Sequence, residues 1–208
     1  MKTYIDMNTY PRLSHFRYFH SLAFPYIGLT ANVDVTNPVR YAKEHGASTF
    51  LAVLWVASRA ANAVPELRQR IEDDAITEYD HCLFGHTVAL EDHTFCNCTT
   101  DCRMPLDTFL ADAAARQEEA KHHPGFLNEK EDESGMVFAS CVPWVAFTQC
   151  IQPVPIPADS NPRIVFGKYI RQGDRVLMPL HIQCNHALVD GYHVAEFFRL
   201  FQELADSI

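Results

Sequence analysis

The stretch His186-Ala187-Leu188-Val189-Asp190-Gly191 sits between two segments of different kind. Val176 to Gln183 reads as a strand. His193 to Leu204 carries apolar residues at helical spacing. The turn between them presents a histidine at a strand end, with an aspartate four residues on. Gly191 suits a positive φ or a close backbone approach just ahead of the helix. Such a turn can lock an imidazole, and the aspartate can lock the turn. Imidazole titrates near neutral pH, which makes it the usual general base. The chain has eleven histidines, so a satisfied polar residue at a strand end is the competing reading of His186.

Upstream, Leu29 to Val35 reads as a strand. Thr36-Asn37-Pro38 opens a helix, with Asn37 as cap and Pro38 at its first position, ending near Gly46. Ser48 to Val64 is apolar and alanine-rich. It predicts a buried helix capped by Ser48 or Thr49 and stopped at Pro65. Ala75 to Tyr79, Gly85 to Leu90 and His93 to Thr99 read as strands, and Pro105 to His122 as a helix ending at Pro124-Gly125. Asn128 to Gly135 reads as a polar loop and Met136 to Phe147 as a strand with a proline inside it. Pro153 to Pro162 is irregular. Arg163 to Ile170 and Asp174 to Gln183 form a hairpin through Arg171-Gln172-Gly173. The order lacks steady βαβ alternation, which favours an α+β layer over a doubly wound sheet.

The 208 residues suit a single domain, 1–208, with a large core. A net charge of −9 argues against nucleic acid or an anionic membrane surface as main partner. No secretory signal or membrane span is expected. Seven cysteines without a signal are simplest as reduced thiols in a cytoplasm. Cys96-x-Cys98-x-x-x-Cys102, with His86 and His93 nearby, lacks the Cys-x-x-Cys spacing of a zinc site, so no metal is expected. Gly-x-Ser-x-Gly, Walker A and Gly-x-Gly-x-x-Gly patterns are missing.

Two stretches, Gly173 to Leu180 and Gln183-Cys184-Asn185-His186-Ala187-Leu188-Val189-Asp190-Gly191-Tyr192-His193-Val194, closely resemble the C-terminal signature of chloramphenicol acetyltransferases. The resemblance extends back to Tyr10-Pro11-Arg12 and covers the whole chain. It implies a two-layer α/β sandwich with a mixed sheet packed by helices. It also implies a homotrimer with active sites between subunits, and acetyl-CoA as co-substrate with no bound cofactor. His186 is then the base that deprotonates the acceptor hydroxyl of chloramphenicol or a related small alcohol. Asp190 is its structural partner, paired with Arg12. Ser140, in Phe138-Ala139-Ser140-Cys141-Val142-Pro143-Trp144, donates to the oxyanion. Trp144 and Tyr169 line the coenzyme A channel. Read without the resemblance, Arg12 is a solvated arginine, Ser140 a strand serine, and the two aromatics core residues.

Several positions depart from the family pattern. Asn185 stands where a second histidine is usual. Val165 replaces a threonine associated with the oxyanion. Cys150 and Gln152 replace an apolar acceptor wall, Phe19 and Ile27 stand at N-terminal acceptor positions, and Phe95 keeps an expected aromatic. These changes predict weakened chloramphenicol acetylation. Two further readings stand beside the acetyltransferase. One is a dihydrolipoamide acyltransferase core, which shares the His-x-x-x-Asp-Gly run, although no lipoyl-domain or linker pattern is present. The other is a non-catalytic trimeric homologue that binds a small ligand.

Overall fold

The structure, a computed structural model, describes residues 1–122 and 132–208. Its elements are β1 (Lys2–Tyr4), α1 (Leu13–His20), β2 (Tyr26–Asp34), α2 (Thr36–Glu44), α3 (Thr49–Ala63), β3 (Gln69–Glu72), β4 (Ala75–Tyr79), β5 (Leu83–Ala89), β6 (Phe95–Thr100), α4 (Leu106–His122), β7 (Met136–Cys141), β8 (Arg163–Phe166), β9 (Ile170–Gln172), β10 (Arg175–Asn185) and α5 (Gly191–Asp206). The principal sheet runs β2-β10-β8-β7-β5-β6, with β9 also on β10, and β1-β4-β3 forms a small second sheet. β7 is parallel to both β5 and β8, and the other pairs of the principal sheet are antiparallel. This is a mixed sheet in an α+β arrangement, as the element order implies.

β10 organises the sheet. Met178, Leu180, Ile182 and Cys184 alternate into the main core with Leu51, Leu54, Phe197 and Phe201 of α3 and α5. The intervening His181, Gln183 and Asn185 lie on the opposite face and are buried as well. The irregular segment Pro153–Pro162 accounts for part of that cover. Gln183 accepts from the Gln152 amide at 3.2 Å, and Asn185 Nδ2 donates to the Asp159 carbonyl at 2.9 Å. Among the described residues no helix is long and apolar enough to cross a membrane.

Some local expectations shift. α2 begins at Thr36, with Val35 as N-cap, so Asn37 and Pro38 lie inside its first turn. The Asp34 carboxylate accepts from both the Thr36 amide and hydroxyl, at 3.0 and 2.5 Å, and so serves the helix end itself. Ser48 caps α3 as expected, accepting from the Leu51 amide. β7 ends at Cys141, before Pro143. The β9–β10 turn is Gly173-Asp174, one residue later than expected, since Gln172 pairs with Arg175 and Gly173 takes φ +61°. Between β8 and β9 the ladder breaks at Gly167–Tyr169, where the Lys168 amide turns to the Val145 carbonyl. Gly191 has neither a positive φ nor a neighbour within 4 Å of a built Cβ, so neither steric reason for glycine holds there. The helix end expected at Pro124-Gly125 and the start of the Asn128 loop lie outside the described residues. That loop's last residues, Glu133–Gly135, form one 3-10 turn.

Candidate active site

β10 ends at Asn185 and the chain turns sharply. The amides of Leu188 and Val189 both donate to the Asn185 carbonyl at 3.1 Å, and the Ala187 amide donates to Asn185 Oδ1 at 3.0 Å. Asn185 thus builds the turn and, through Asp159, ties it to the irregular segment. An amide can do both because it carries a donor and an acceptor together.

His186 is held from three sides. Its amide donates to the Pro25 carbonyl at 2.7 Å. Its ring stacks on Phe19, with centroids 3.8 Å apart and planes 14° apart. Its Nδ1 lies 2.9 Å from the Val189 carbonyl and 3.2 Å from Asp190 Oδ1. A carbonyl only accepts, so Nδ1 carries the proton and Nε2 keeps its lone pair.

Arg12 staples this turn. Nε donates to Asp190 Oδ2 at 2.9 Å and NH2 to Oδ1 at 2.7 Å, a two-pronged pair. NH1 donates to the carbonyls of Leu188 and Ala187. Asp190 is the N-cap residue of α5, and its own amide donates to His193 Nδ1 at 2.9 Å. One arginine therefore ties the N-terminal segment, the turn and the start of α5 together.

A second group of residues lines a cavity of about 590 Å³. Ser140, Trp144, Tyr169 and Phe95 are on its wall, with Thr49, Thr87, His93, Gln117 and Lys121. Ser140 Oγ lies 3.2 Å from Thr87 Oγ1, from the paired strand side. Burial pushes the Tyr169 phenol up to about 12, the Thr49 hydroxyl opposing it, so the ring stays neutral. Trp144 is 75 % exposed on the rim. Thr87 and Lys121 carried no sequence signal, since each reads as an ordinary strand or helix polar residue, and His93 drew notice only beside the cysteine cluster.

The structure brings Arg12, Phe19, His186 and Asp190 together, and separately Ser140, Trp144, Tyr169 and Phe95. His186 does not line the cavity. Ser140 pairs with Val165, Val165 with His181, and His186 lies five residues beyond His181. Two strand spacings across and five residues along put His186 and Ser140 roughly 10 and 16 Å apart in those directions. Val165 is fully buried beside Ser140. Gln152 Nε2 lies 3.1 Å from Cys150 Sγ, and the Gln152 main chain is bound to Gln183. Ile27 pairs with Cys184 and packs against the helical core. Among the described residues no group of His, Cys, Asp and Glu is arranged to hold a metal. Cys96 and Cys98 are buried with Val88 in a small cluster, and none of the seven cysteines is in a disulfide.

Comparison with known proteins gives the family. The family model described as chloramphenicol acetyltransferase matches residues 1–202. A chloramphenicol acetyltransferase of Klebsiella sp is 32% identical over 98% of this chain and 94% of its own. One of Escherichia coli is 31% identical with the same coverage. A solved chloramphenicol acetyltransferase superposes with a TM-score of 0.91 at 25% identity, covering 98% of this chain and 99% of the other. A probable dihydrolipoamide acetyltransferase from Listeria monocytogenes shares the fold, with a TM-score of 0.72 at 16% identity over 98% and 93% of the two chains. Fold and family together define an acyltransferase. The chain belongs to the chloramphenicol acetyltransferase family.

Proposed function

We propose that this protein transfers an acetyl group from acetyl-CoA to a hydroxyl of chloramphenicol or a related small alcohol, with His186 as general base. The observation that carries this reading is the bond from His186 Nδ1 to the Val189 carbonyl, which leaves Nε2 free at a strand end. In the reaction, Nε2 takes the proton of the acceptor hydroxyl as its oxygen attacks the thioester carbonyl carbon. The Ser140 hydroxyl donates to the resulting oxyanion. Collapse expels the coenzyme A thiolate, which recovers the proton from the imidazolium. Arg12 and Asp190 act by holding the turn. Coenzyme A lies in the cavity lined by Trp144 and Tyr169, and no metal or bound cofactor takes part.

The reacting atoms need a base and an oxyanion donor within about 3 Å of one carbonyl group. Within one chain His186 and Ser140 are too far apart for that. The reading therefore assigns His186 of one subunit to Ser140 of another, in a homotrimer whose sites lie between subunits. The reading places the protein in a cytoplasm, a reducing compartment that suits seven cysteines with no disulfide among them.

The test is thiol release from acetyl-CoA with and without chloramphenicol and a panel of other alcohols. Alcohol-dependent release by wild type and its loss in His186→Ala support the reading. Wild-type protein that binds alcohols without releasing thiol supports a non-catalytic ligand binder instead.

A further inference from the structure

His181 is the one imidazole on the outer face of β10, and it is 2% exposed. Its Nδ1 lies 2.9 Å from Thr30 Oγ1 on the neighbouring strand. Its Nε2 is buried and has no hydrogen-bond partner. Buried polar atoms without protein partners are rare because each costs its lost hydration, so a group that bonds to this one recovers that cost.

The strand registers locate that nitrogen. His181 pairs with Val165 on one side and Thr30 on the other, and Val165 pairs with Ser140. These residues form one row on one face of the sheet. The ring then leans along β2. A Cβ built on Gly28 would lie 3.0 Å from His181 Cε1 and 3.5 Å from Nε2. Gly28 pairs with Gln183, two residues nearer the His186 end of β10. Nε2 therefore points toward that end, over a strand position that carries no side chain. Gln183 there holds the main chain of Gln152.

We propose that His181 is a specificity-determining residue for the acceptor. Its Nε2 receives a hydrogen-bonding group, a second hydroxyl, on the body of the alcohol that is acetylated. This rests on the acetyltransferase reading and deepens it. Val165 offers no hydroxyl in this row, so the imidazole supplies the row's unpaired polar atom. Burial holds the ring below the ordinary imidazole range, with the Leu29 main chain opposing, which keeps it neutral and able to bond a hydroxyl. Gly28 provides the clearance: its φ is not positive, so the missing side chain, rather than backbone freedom, is what the position uses.

The experiment uses the full-length protein, acetyl-CoA and alcohols in matched pairs, each with and without a second hydroxyl, chloramphenicol and a deoxy analogue among them. Wild type, His181→Ala, His181→Gln and Gly28→Ala are compared by steady-state kinetics and thermal melting. The expected result is a wild-type preference for at least one hydroxylated member. That preference falls about 10- to 100-fold in His181→Ala and in Gly28→Ala, and is partly restored in His181→Gln. KM for acetyl-CoA stays within a few-fold. A ring that only supports the sheet predicts lower melting temperatures with pair preferences unchanged, and that outcome overturns the proposal. So does a wild type that does not distinguish the pair members. A wild type that releases no thiol with any alcohol overturns the acetyltransferase reading itself, which separates that failure from this one.

Discussion

At His186 the direction of the ring and the position of its proton are set by main-chain groups, and a carboxylate stands behind them. The Val189 carbonyl accepts from Nδ1, Phe19 covers one face, and Asp190 is closer in function to Arg12 than to the imidazole. His186→Ala therefore removes the proton acceptor while sparing the turn. The expected loss of turnover is about 10²- to 10⁴-fold with an unchanged melting curve. A purified variant with more than roughly a tenth of wild-type turnover shows that another group is the base. Arg12 and Asp190 are part-buried, with side chains 14% and 33% exposed. Breaking their pair should cost about 1–3 kcal/mol, less than the ~3–5 of a fully buried one. Arg12→Ala should cost more than Asp190→Asn, because Arg12 also serves the Ala187 and Leu188 carbonyls. Denaturation of both variants and the double tests this, and strict additivity would show that the residues are uncoupled. At this scale the sequence was legible where residues are linked by a short motif. His186, Asp190 and Asn185 sit in one turn, and Arg12 was reachable only through family resemblance, since 178 residues separate it from its partner. The unpaired nitrogen of His181 was not legible, because alternation places a side chain on a face but does not say what fills the space opposite.

Elements were legible where one local signal dominates. α3 follows from its apolar run, the Ser48 cap and Pro65, and β10 from its apolar run after the Arg171-Gln172-Gly173 turn signal. Short elements were not. β1 and β3 have three and four residues; β1 pairs with β4 across more than 70 residues, and the β3–β4 hairpin closes through Asp73 and Asp74, two non-glycine residues at positive φ. α1 lacks a side-chain cap bond and carries mixed polar and aromatic residues, so its helicity rests on packing of Phe16. The paired elements β5, β6 and α4 carry a pH-sensitive feature of their own. His86 on β5 is buried with Nε2 3.0 Å from Gln117 of α4, and burial holds its imidazole at about 4. The unfolded chain takes up this proton first as pH falls, since its histidine titrates near 6.5. The stability that neutral His86 contributes is complete above about pH 6.5 and is lost between there and about 4, up to roughly 3 kcal/mol. His81 and His181 are lowered by burial too and act in the same direction. Urea denaturation at steps from pH 7 to 4.5 should show a shallower acid decline for His86→Gln than for wild type. Parallel declines would mean that His86 is not buried in its neutral form.

The whole molecule divides its proposed machinery between two places: the stapled turn that presents His186, and the cavity that holds Ser140. Apolar groups stand exposed near both. Phe24 is close to the Pro25 contact of His186, and Trp144 and Val145 lie on or beside the cavity rim. A contact between copies that covers such residues would bury apolar surface and bring the two halves of a site together. Sedimentation should accordingly give three times the 23.7 kDa chain mass. Complementation is the sharper measurement. His186→Ala and Ser140→Ala homotrimers each lack one half of every site. When equal amounts are unfolded together and reassembled, each interface pairs a random donor of His186 with a random donor of Ser140. About a quarter of the interfaces then carry both intact residues, so activity should rise to about a quarter of that of wild type treated in the same way. If both residues of a site came from one chain, no interface could repair the defect. The mixture would then show no more than the average of its two parents, and the division of the site between subunits would be wrong.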